Sequence, residues 1–392
     1  MPKVSVVVSA HNYEEFIGSA IKSVLNQTYK NFELIITDDA STDHTLQIIK
    51  SFKDSRIKIF AFPTNRGESA AENNGIFNST GDYIAILNAD DEFLPTKLEK
   101  QVSFLNSHPN ITAVFTQVKV VDDNGDKLTD KTNFYYDIFK QHNRSRYEWL
   151  RRFFYGGNCL CHPSVMIRRS AYDNVGFYDE RFVQIQDFHL WVRLCLKYNI
   201  FILPESLTKF RVGHTEKQIS GNTSDRITRN FYEYKKVLEY YLKIENIDEL
   251  LKIFPEIKKI TNKPEKKFVP FYIAQLALKK IDPIHQYFAV DTLYSFLTTG
   301  KIIKDLNDKY DYSFSDFIKL TGKIDVTNIH TIRLFSEKTK SLNQEIALLK
   351  EQNTKLTNDI TNLENILLKI KSANFFKLWQ SYCKLRDSII KK

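Results

Sequence analysis

The first hundred residues alternate short β-branched runs with amphipathic helical patterns, and this alternation restricts the fold more than any other feature of the chain. Short apolar runs bounded by polar residues predict strands, whereas apolar spacings of three and four predict helices. Repeated strand-helix units form a parallel sheet, because each helix returns the chain to the same edge. We therefore predict an α/β fold with a mostly parallel central sheet. The predicted strands are residues 4–9, 32–37, 57–62 and 83–87, and the predicted helices are residues 14–27, 42–52, 69–78 and 95–106.

After residue 110 the alternation loosens, and the chain changes character. Residues 225–320 carry aromatic-rich and lysine-rich helical patterns that prolines interrupt. Such shifts of composition mark domain boundaries, so we predict four segments. Further strands are predicted at residues 113–121, 164–167, 200–203 and 207–212, with a helix at residues 187–198. The segments are a first domain at residues 1–220, an α-helical domain at 221–330, a coiled coil at 335–371 and a basic amphipathic tail at 372–392.

A heptad of apolar residues runs through the segment after residue 335, with spacings that alternate four and three. Its seam positions are Ile346, Asn353, Ile360 and Leu367 at position a, and Leu342, Leu349, Leu356, Leu363 and Ile370 at position d. One Asn at an a position favours a parallel pair in register. Glu345 would meet Lys350 of a second helix, but Asp359 would face Glu364, so the charges support pairing only in part. A single surface helix is the alternative, and the nine consecutive matches favour a homo-oligomer, a parallel dimer or higher.

The tail combines apolar and basic residues in a helical pattern. Its apolar face consists of Phe375, Leu378, Trp379, Tyr382, Leu385 and Ile389, and lysines and Arg386 surround it. A basic amphipathic helix of this kind binds an anionic membrane interface, and docking onto its own protein is an equal alternative.

Charge, cysteine content and hydropathy bound the setting of the protein. No apolar run reaches the roughly 20 residues that a membrane-spanning helix needs, and residues 4–10 read as a strand rather than as part of a secretory signal. Four cysteines suggest no disulfide framework, so we predict a cytoplasmic protein, with peripheral contact at the inner membrane face. The net charge of +9 is concentrated after Lys235 without a recognisable nucleic-acid module, and we predict no nucleic-acid binding.

Polar clusters follow all four predicted strands, at residues 9–12, 38–41, 65–67 and 88–91. In a parallel sheet the ligand crevice lies beyond the carboxyl ends of the strands, so these clusters should share one edge. Strands that merely end in polar turns would not explain carboxylate pairs at two ends. Asp90 and Asp91 suit a hard divalent cation, since Mg²⁺ is usually held by one or two carboxylates and phosphate oxygens.

Five segments of the chain resemble, in their order and spacing, the start of the inverting family 2 glycosyltransferases. They are residues 4–13, 23–29, 32–43, 65–67 and 87–91. The resemblance covers about residues 3–215. It implies a GT-A (Rossmann-like) fold that binds a nucleotide sugar, and a divalent metal, Mn²⁺ or Mg²⁺, as cofactor. The chain departs from the family pattern at Asn88, where Asp is common, and at Glu72, where Arg often precedes Asn.

The resemblance also implies roles for individual residues. On the donor side, these are Ser9, Ala10, His11, Asp39, Asn65, Arg66 and Asp90. Ser9 and His11 would line the base pocket, and Asp39 would accept a hydrogen bond from the base, typically uracil. The metal ligands would be Asp91 and Asp90, with His214 as a further candidate.

The acceptor side is implied less completely. Asp187 matches the family's catalytic base at the start of a helix, where an isolated Asp is more often an N-cap. Asp179 and Glu180 are the local rivals. Gly157, His162 and Arg211 are candidates for the acceptor side, with Arg211 also near the expected diphosphate or metal.

These observations predict an inverting glycosyltransferase that moves a sugar from a nucleotide sugar, a UDP-sugar, to an acceptor hydroxyl. The acceptor would be a glycan, a lipid-linked glycan or a protein, in the synthesis of bacterial surface glycans. A nucleotidyltransferase is an alternative, but residues 9–15 lack the glycine-rich basic loop that this class usually has after its first strand. The other alternative is a non-catalytic coiled-coil scaffold that only binds nucleotide.

Overall fold

A computed structural model describes residues 3–213, 223–325 and 329–390 of the chain. The chain divides into two compact units, residues 1–318 and residues 319–392. The predicted boundary at residue 220 therefore falls inside the first unit, and the four-segment division stays a prediction.

Within the described residues, the first unit is built on one eight-stranded sheet. The strands are β1 (Val4–Ala10), β2 (Phe32–Asp38), β3 (Ile57–Ala61), β4 (Tyr83–Asn88), β5 (Glu92–Phe93), β6 (Ile111–Val121), β7 (Met166–Arg168) and β8 (Asn199–Arg211). The helices between them are α1 (Ile17–Leu25), α2 (Thr45–Ser51), α3 (Glu68–Phe77), α4 (Lys97–Ser107), α5 (Arg146–Gly156), α6 (Ser170–Val175) and α7 (Gln186–Lys197). The four predicted strand-helix units at the start of the chain all appear.

The sheet is mixed, and its strand order is β3-β2-β1-β4-β7-β6-β8-β5. The first four strands pair in parallel. β7 then lies antiparallel between β4 and β6, and β5 pairs antiparallel with β8. A mostly parallel sheet is therefore not confirmed. The strands that reverse direction are two or three residues long, and so short a run has no period from which its pairing could be predicted.

β1 and β2 are buried along their whole length, which explains their nearly continuous apolar sequence. The polar exceptions are paired. The Ser5 hydroxyl donates to Glu33 Oε1 over 2.6 Å, and Lys3 and Lys58 place ammonium groups 2.9 and 2.8 Å from Glu33 Oε2. These contacts stabilise a carboxylate that would otherwise be costly to bury.

The helical region after residue 222 completes the first unit. Its helices are α8 (Ser224–Leu238), α9 (Ile247–Ile253), α10 (Val269–Ala277), α11 (Pro283–Phe296), α12 (Gly300–Tyr310) and α13 (Phe314–Lys323), the last of which crosses the unit boundary. The ring of Phe154 in α5 packs edge-on against those of Tyr241, Phe254 and His285, with centroids 4.9–5.3 Å apart. The Tyr241 hydroxyl also donates to the Leu150 carbonyl over 2.8 Å. Aromatic packing thus joins the helical region to α5, beside the sheet.

The second unit consists mainly of α14 (Ile329–Ser372) and α15 (Asn374–Ile390). The apolar heptad positions of α14 are exposed, with about half or more of each of Leu342, Ile346, Leu349 and Leu356 accessible. No helix in the described part of the chain is long and apolar enough to cross a membrane.

Gly75 allows α3 to approach the sheet closely. A Cβ added there would lie 2.4 Å from Val7 Cγ1, whereas one added at Gly18 in α1 would meet its nearest neighbour, Ile48, at an ordinary 3.7 Å. We expect Gly75→Ala to lower the free energy of unfolding by about 1–3 kcal/mol, because the overpacking must displace a buried strand. Gly18→Ala should raise it by about 0.5–1 kcal/mol. Urea unfolding of both variants checks the prediction, and an equal effect at the two sites would contradict it.

Candidate active site

A cavity of about 950 Å³ opens at the carboxyl ends of β1, β2 and β4. Its lining includes most of the residues proposed from the sequence, drawn from distant parts of the chain. These are Ser9, Ala10, His11, Asp39, Asn65, Asp90, Gly157, His162, Asp187 and Arg211. Arg66 and Asp91 do not line it, and His214 lies outside the described residues.

The ring of His11 is fixed at one end of this cavity. Its Nδ1 lies 2.7 Å from the carbonyl oxygen of Asp39, and because a carbonyl only accepts, Nδ1 carries the proton. Asn12 Nδ2 approaches Nε2 at 3.3 Å. Asn12 and Ala40 have positive φ angles of 61° and 57°, which are strained for residues with a side chain and concentrate at functional sites. The strand ends are therefore shaped to hold this ring.

The carboxylate of Asp39 organises the next loop. Its two oxygens accept hydrogen bonds from the backbone N–H groups of Arg66 and Gly67, over 2.7 and 2.8 Å. Gly67 has a φ of 91°, a conformation that favours glycine. The Arg66 side chain turns elsewhere, with its guanidinium 4.7 Å from the Phe62 ring centroid and 3.9 Å from Glu180. Arg66 thus contributes its backbone rather than its charge.

Asp90 and Asp91 differ sharply in environment. Asp90 faces the cavity, whereas Asp91 is buried beneath it and both its oxygens are engaged. Asn88 Nδ2 donates to one oxygen over 3.0 Å, and the backbone N–H of Arg211 donates to the other over 2.8 Å. Asp91 therefore joins β4 to β8, and Asp90 is the carboxylate that faces the space where a ligand would bind.

Arg211 holds the end of β4 in place. Its guanidinium donates to the carbonyls of Asp90, Asp122 and Asp123 over 2.8–3.0 Å, and it pairs with Glu92 at 3.1 Å. Through these contacts Arg211 fixes the positions of Asp90, Glu92 and the turn at residues 122–123.

Asp187 lies in the first turn of α7 and lines the cavity. Asn158 Nδ2 donates to one carboxylate oxygen over 2.7 Å, and the Phe188 backbone N–H donates to the other over 2.6 Å. Burial raises the pKa of Asp187 to about 6, although these two hydrogen bonds lower it. A carboxylate with such a pKa is suited to accept a proton near neutral pH.

Two residues that sequence reasoning did not place in the site, Glu68 and Glu72, form a cluster with His162 beside Asp187. One ligand atom each of Glu68, Glu72 and His162 lies within 4.8 Å of the others. Burial, followed by the charges of Asp90 and Asp187, raises the pKa of Glu68 to about 7. Glu72 was noted only as a departure from the family pattern, and no sequence signal singled out Glu68, because only the fold brings α3 against residues 158–162.

A family model for glycosyl transferase family 2 matches residues 5–176. The uncharacterized glycosyltransferase MJ1057 of Methanocaldococcus jannaschii is 31% identical over 56% of this chain and 74% of its own length. The chain belongs to glycosyl transferase family 2. It therefore is a glycosyltransferase, and the strand-end residues described above fall within the family match, except Asp187 and Arg211.

One further relative of this family 2 glycosyltransferase and one solved structure with a similar fold are informative. The UDP-Glc:alpha-D-GlcNAc-diphosphoundecaprenol beta-1,3-glucosyltransferase WfgD of Escherichia coli is 27% identical over 61% of this chain and 90% of its own length. The crystal structure of S. aureus TarS 1-349 in complex with UDP superposes with a TM-score of 0.51, covering 81% of this chain and 88% of TarS 1-349 at 18% identity. The second likeness establishes a common GT-A-like fold, including helices beyond the sheet.

The helical region of this glycosyltransferase closes one side of the cavity. Arg226, Asn230, Phe231 and Tyr234 of α8 contribute to its lining. The neighbouring Glu233 is buried and accepts hydrogen bonds from the backbone N–H groups of residues 183, 184 and 185, over 2.9, 2.9 and 3.1 Å. This single carboxylate anchors α8 to the segment that leads into Asp187.

We expect Glu233→Gln to weaken that anchor, because the amide nitrogen of Gln faces backbone donors and leaves one or two of them unpaired. The free energy of unfolding should fall by about 2 kcal/mol. Hydrogen exchange at residues 183–185 should accelerate, which mass spectrometry can measure. Glu239→Gln, at the C-terminal end of the same helix, is the matched control, since it removes partly exposed ion pairs worth less than about 1 kcal/mol. Unchanged exchange in the Glu233 variant would contradict the assignment.

Proposed function

We propose that the protein is an inverting glycosyltransferase that moves a sugar from a UDP-sugar to an acceptor hydroxyl, with Asp187 as the base. The observation that carries the proposal is that Asp39, Asp90 and Asp187 face one cavity although they come from three separate parts of the chain. The relatives described above establish the family of the chain. We propose the donor, the acceptor and the roles of the individual residues.

The base of the nucleotide would lie between His11 and Asp39. The His11 ring is held by its Nδ1 hydrogen bond, so its face is available for stacking. Each Asp39 oxygen accepts one backbone hydrogen bond and keeps a second lone pair, which suits the imide N–H of uracil. The crystal structures of TarS with UDP and with UDP-GlcNAc support a uridine nucleotide in this fold.

Asp90 would hold the divalent cation that the family implies. Its carboxylate opens onto the cavity, and carboxylate oxygen is the ligand type that Mg²⁺ and Mn²⁺ prefer. Asp91 fits this role less well, since Asn88 and Arg211 already engage its oxygens. When bound, such an ion stabilises the charge that develops on the departing diphosphate.

Asp187 would remove the proton of the acceptor hydroxyl. The hydroxyl oxygen attacks the anomeric carbon at the same time, and the bond from that carbon to the diphosphate breaks. Asn158 orients the carboxylate from the glycine-containing segment at residues 156–158. Burial favours proton uptake by Asp187, because it raises the pKa of this carboxylate to about 6, and the charge of Asp187 in turn adds to the raised pKa of Glu68.

We expect Asp187→Asn to lower kcat by at least about 10²-fold, because the amide cannot accept the proton. UDP affinity, measured by calorimetry, should change little.

In the wild type, kcat should rise with pH through an acid limb near pH 6, where Asp187 loses its proton. Since burial raises this pKa in the folded state, the stability linked to it is lost as pH rises through about 6, so the variant should unfold at the same temperature or higher at pH 7.5.

Asp179→Asn is the matched control for this experiment. Asp179 lies on the same segment, outside the cavity lining, with its carboxylate 2.6 Å from Arg181. Its substitution should leave kcat within about threefold, the range expected for a surface change that costs less than about 1 kcal/mol. Equal losses of kcat and UDP affinity in Asp187→Asn, or a larger loss of kcat in Asp179→Asn, would show that the base is misassigned.

The acceptor proposed is a lipid-linked glycan at the cytoplasmic face of a membrane. Five aromatic rings contribute to the lining of the cavity, those of Phe134, Tyr135, Phe139, Phe210 and Phe231. Aromatic rings of this kind stack on sugar faces or contact an acyl chain. WfgD is named for a diphosphoundecaprenol-linked acceptor, which supports this class.

The second unit would join copies of the enzyme and bring them to that membrane. The exposed heptad of α14 would form a parallel homo-oligomer, with Asn353 keeping the helices in register. In a parallel coiled coil, the α15 helices leave at the same end. Several copies of the exposed Phe375, Leu378 and Trp379 would then contact one lipid surface, which raises avidity.

We expect the double variant Leu349→Asp, Leu356→Asp to sediment as a monomer, because two charges per chain in the seam outweigh its apolar contacts. It should also bind anionic vesicles at least about tenfold more weakly, since single tails lose avidity. Leu348→Asp, outside the seam and equally exposed, is the matched control and should stay oligomeric. A monomeric wild type in analytical ultracentrifugation would rule out the coiled coil.

A further inference from the structure

A buried carboxylate close to the cavity, that of Glu72, has no hydrogen-bond partner among the described residues. Glu72 is 1% exposed, and neither of its oxygens has a hydrogen-bond partner in the part of the chain that the structure describes. Buried charged groups are normally paired, because removing an isolated charge from water costs several kcal/mol. Glu72 therefore needs either a proton or a cation.

A proton alone leaves Glu72 poorly satisfied. Burial, followed by the charges of Glu68 and Asp187, does raise the pKa of Glu72 well above its ordinary value. The resulting carboxyl group would still have a donor and lone pairs in an enclosed space. His162 Nε2 is 3.5 Å from Glu72 Oε1, at the limit of hydrogen-bond distance, and lies 2.8 Å from the Tyr178 hydroxyl. Protonation would remove the charge without supplying hydrogen bonds.

The neighbours of Glu72 are those that a metal ion requires. Glu68 lies one helical turn earlier on the same face of α3, and His162 approaches from a separate segment. The separation of 3.5 Å between Glu72 Oε1 and His162 Nε2 suits two ligands of one ion, since bonds of about 2.0–2.2 Å place ligand atoms roughly 3–4 Å apart. Coordination requires Nε2 to exchange its contact with the Tyr178 hydroxyl for the ion. Glu68 and His162 line the cavity, so an ion could enter from there and keep open coordination positions.

We propose that Glu68, Glu72 and His162 bind a transition-metal ion of the Zn²⁺, Mn²⁺ or Co²⁺ class. This site is distinct from the donor cation at Asp90 and does not depend on bound nucleotide. Two carboxylates and an imidazole suit such ions, whereas Mg²⁺ prefers an all-oxygen environment with several waters. The ion would offset the negative charge beside Asp187 and tie α3 to the segment that carries His162. Gln186, which donates to Glu68 Oε2 over 2.6 Å, would orient one ligand.

The test uses Co²⁺ as the probe on the full chain, stripped of metal by a chelator and free of nucleotide. Equilibrium dialysis gives stoichiometry and affinity, and visible d–d absorption shows whether nitrogen and oxygen ligands surround the ion. The wild type should bind one Co²⁺ per chain and keep it in excess Mg²⁺. Glu72→Gln and His162→Gln should each weaken this binding by at least about tenfold. Asp90→Asn is the matched control and should retain it.

Loss of binding by unfolding is separable from loss of a ligand. Glu72→Gln removes a buried unpaired carboxylate, so without metal it should melt at the same temperature as the wild type or higher. Co²⁺ should raise the melting temperature of the wild type and of Asp90→Asn, but not that of Glu72→Gln. The proposal is overturned if Glu72→Gln binds Co²⁺ as the wild type does, if Asp90→Asn abolishes the binding, or if the wild type binds none. None of these readouts depends on sugar transfer, so they are independent of the proposed donor and acceptor.

Discussion

Arg211 makes the contacts on which the arrangement of this site depends. From the end of β8, its backbone N–H and guanidinium reach Asp91, the Asp90 carbonyl, Glu92 and the turn at residues 122–123. A guanidinium offers five donors in a fixed planar fork, whereas a lysine ammonium offers three, so Arg211 can join more acceptors at once. It thereby orients the end of β4, so that Asp91 is buried and Asp90 faces the cavity. The surroundings of the two adjacent aspartates differ in part because the backbone N–H of Arg211 engages the Asp91 carboxylate, whereas its guanidinium engages only the carbonyl of Asp90.

The second constraint is that carboxylates outnumber cationic side chains among the described residues that line the cavity. Asp90, Asp187, Glu68 and Glu72 all have pKa values raised by burial first, with neighbouring charges adding to the effect for the two glutamates. Such crowding favours whatever brings positive charge, whether a proton or a metal ion. The helical region sustains it, because α8 covers the cavity and Glu233 holds the segment before Asp187. A part of the chain outside the family match therefore helps to set the electrostatics of the site.

The strand-helix order at the start of the chain and most of the site could be predicted from sequence, since both depend on local patterns. The polar residues that follow β1, β2 and β4 were expected at one edge, and Ser9, His11, Asp39 and Asp90 do line one cavity. The antiparallel pairing within the sheet could not be predicted. β7 has only three residues, and so short a sequence does not indicate which strands it pairs with or in which direction. Asn158, Glu68 and the lining from α8 were missed for a similar reason, as each becomes part of the site only through contacts between distant segments.

The sequence by itself determined the order of the first four strand-helix units and the polar residues that follow their strands, because apolar period and polar strand ends act over a few residues. It also determined the heptad of α14, whose partner stays a prediction. Only the tertiary structure decided which carboxylates are free and which are engaged. Asp90 and Asp91 are neighbours with the same side chain, and Glu72 reads as one more charged residue on a helix. Their surroundings differ because hydrogen bonding and burial depend on the folded protein, to which residues more than a hundred positions away contribute.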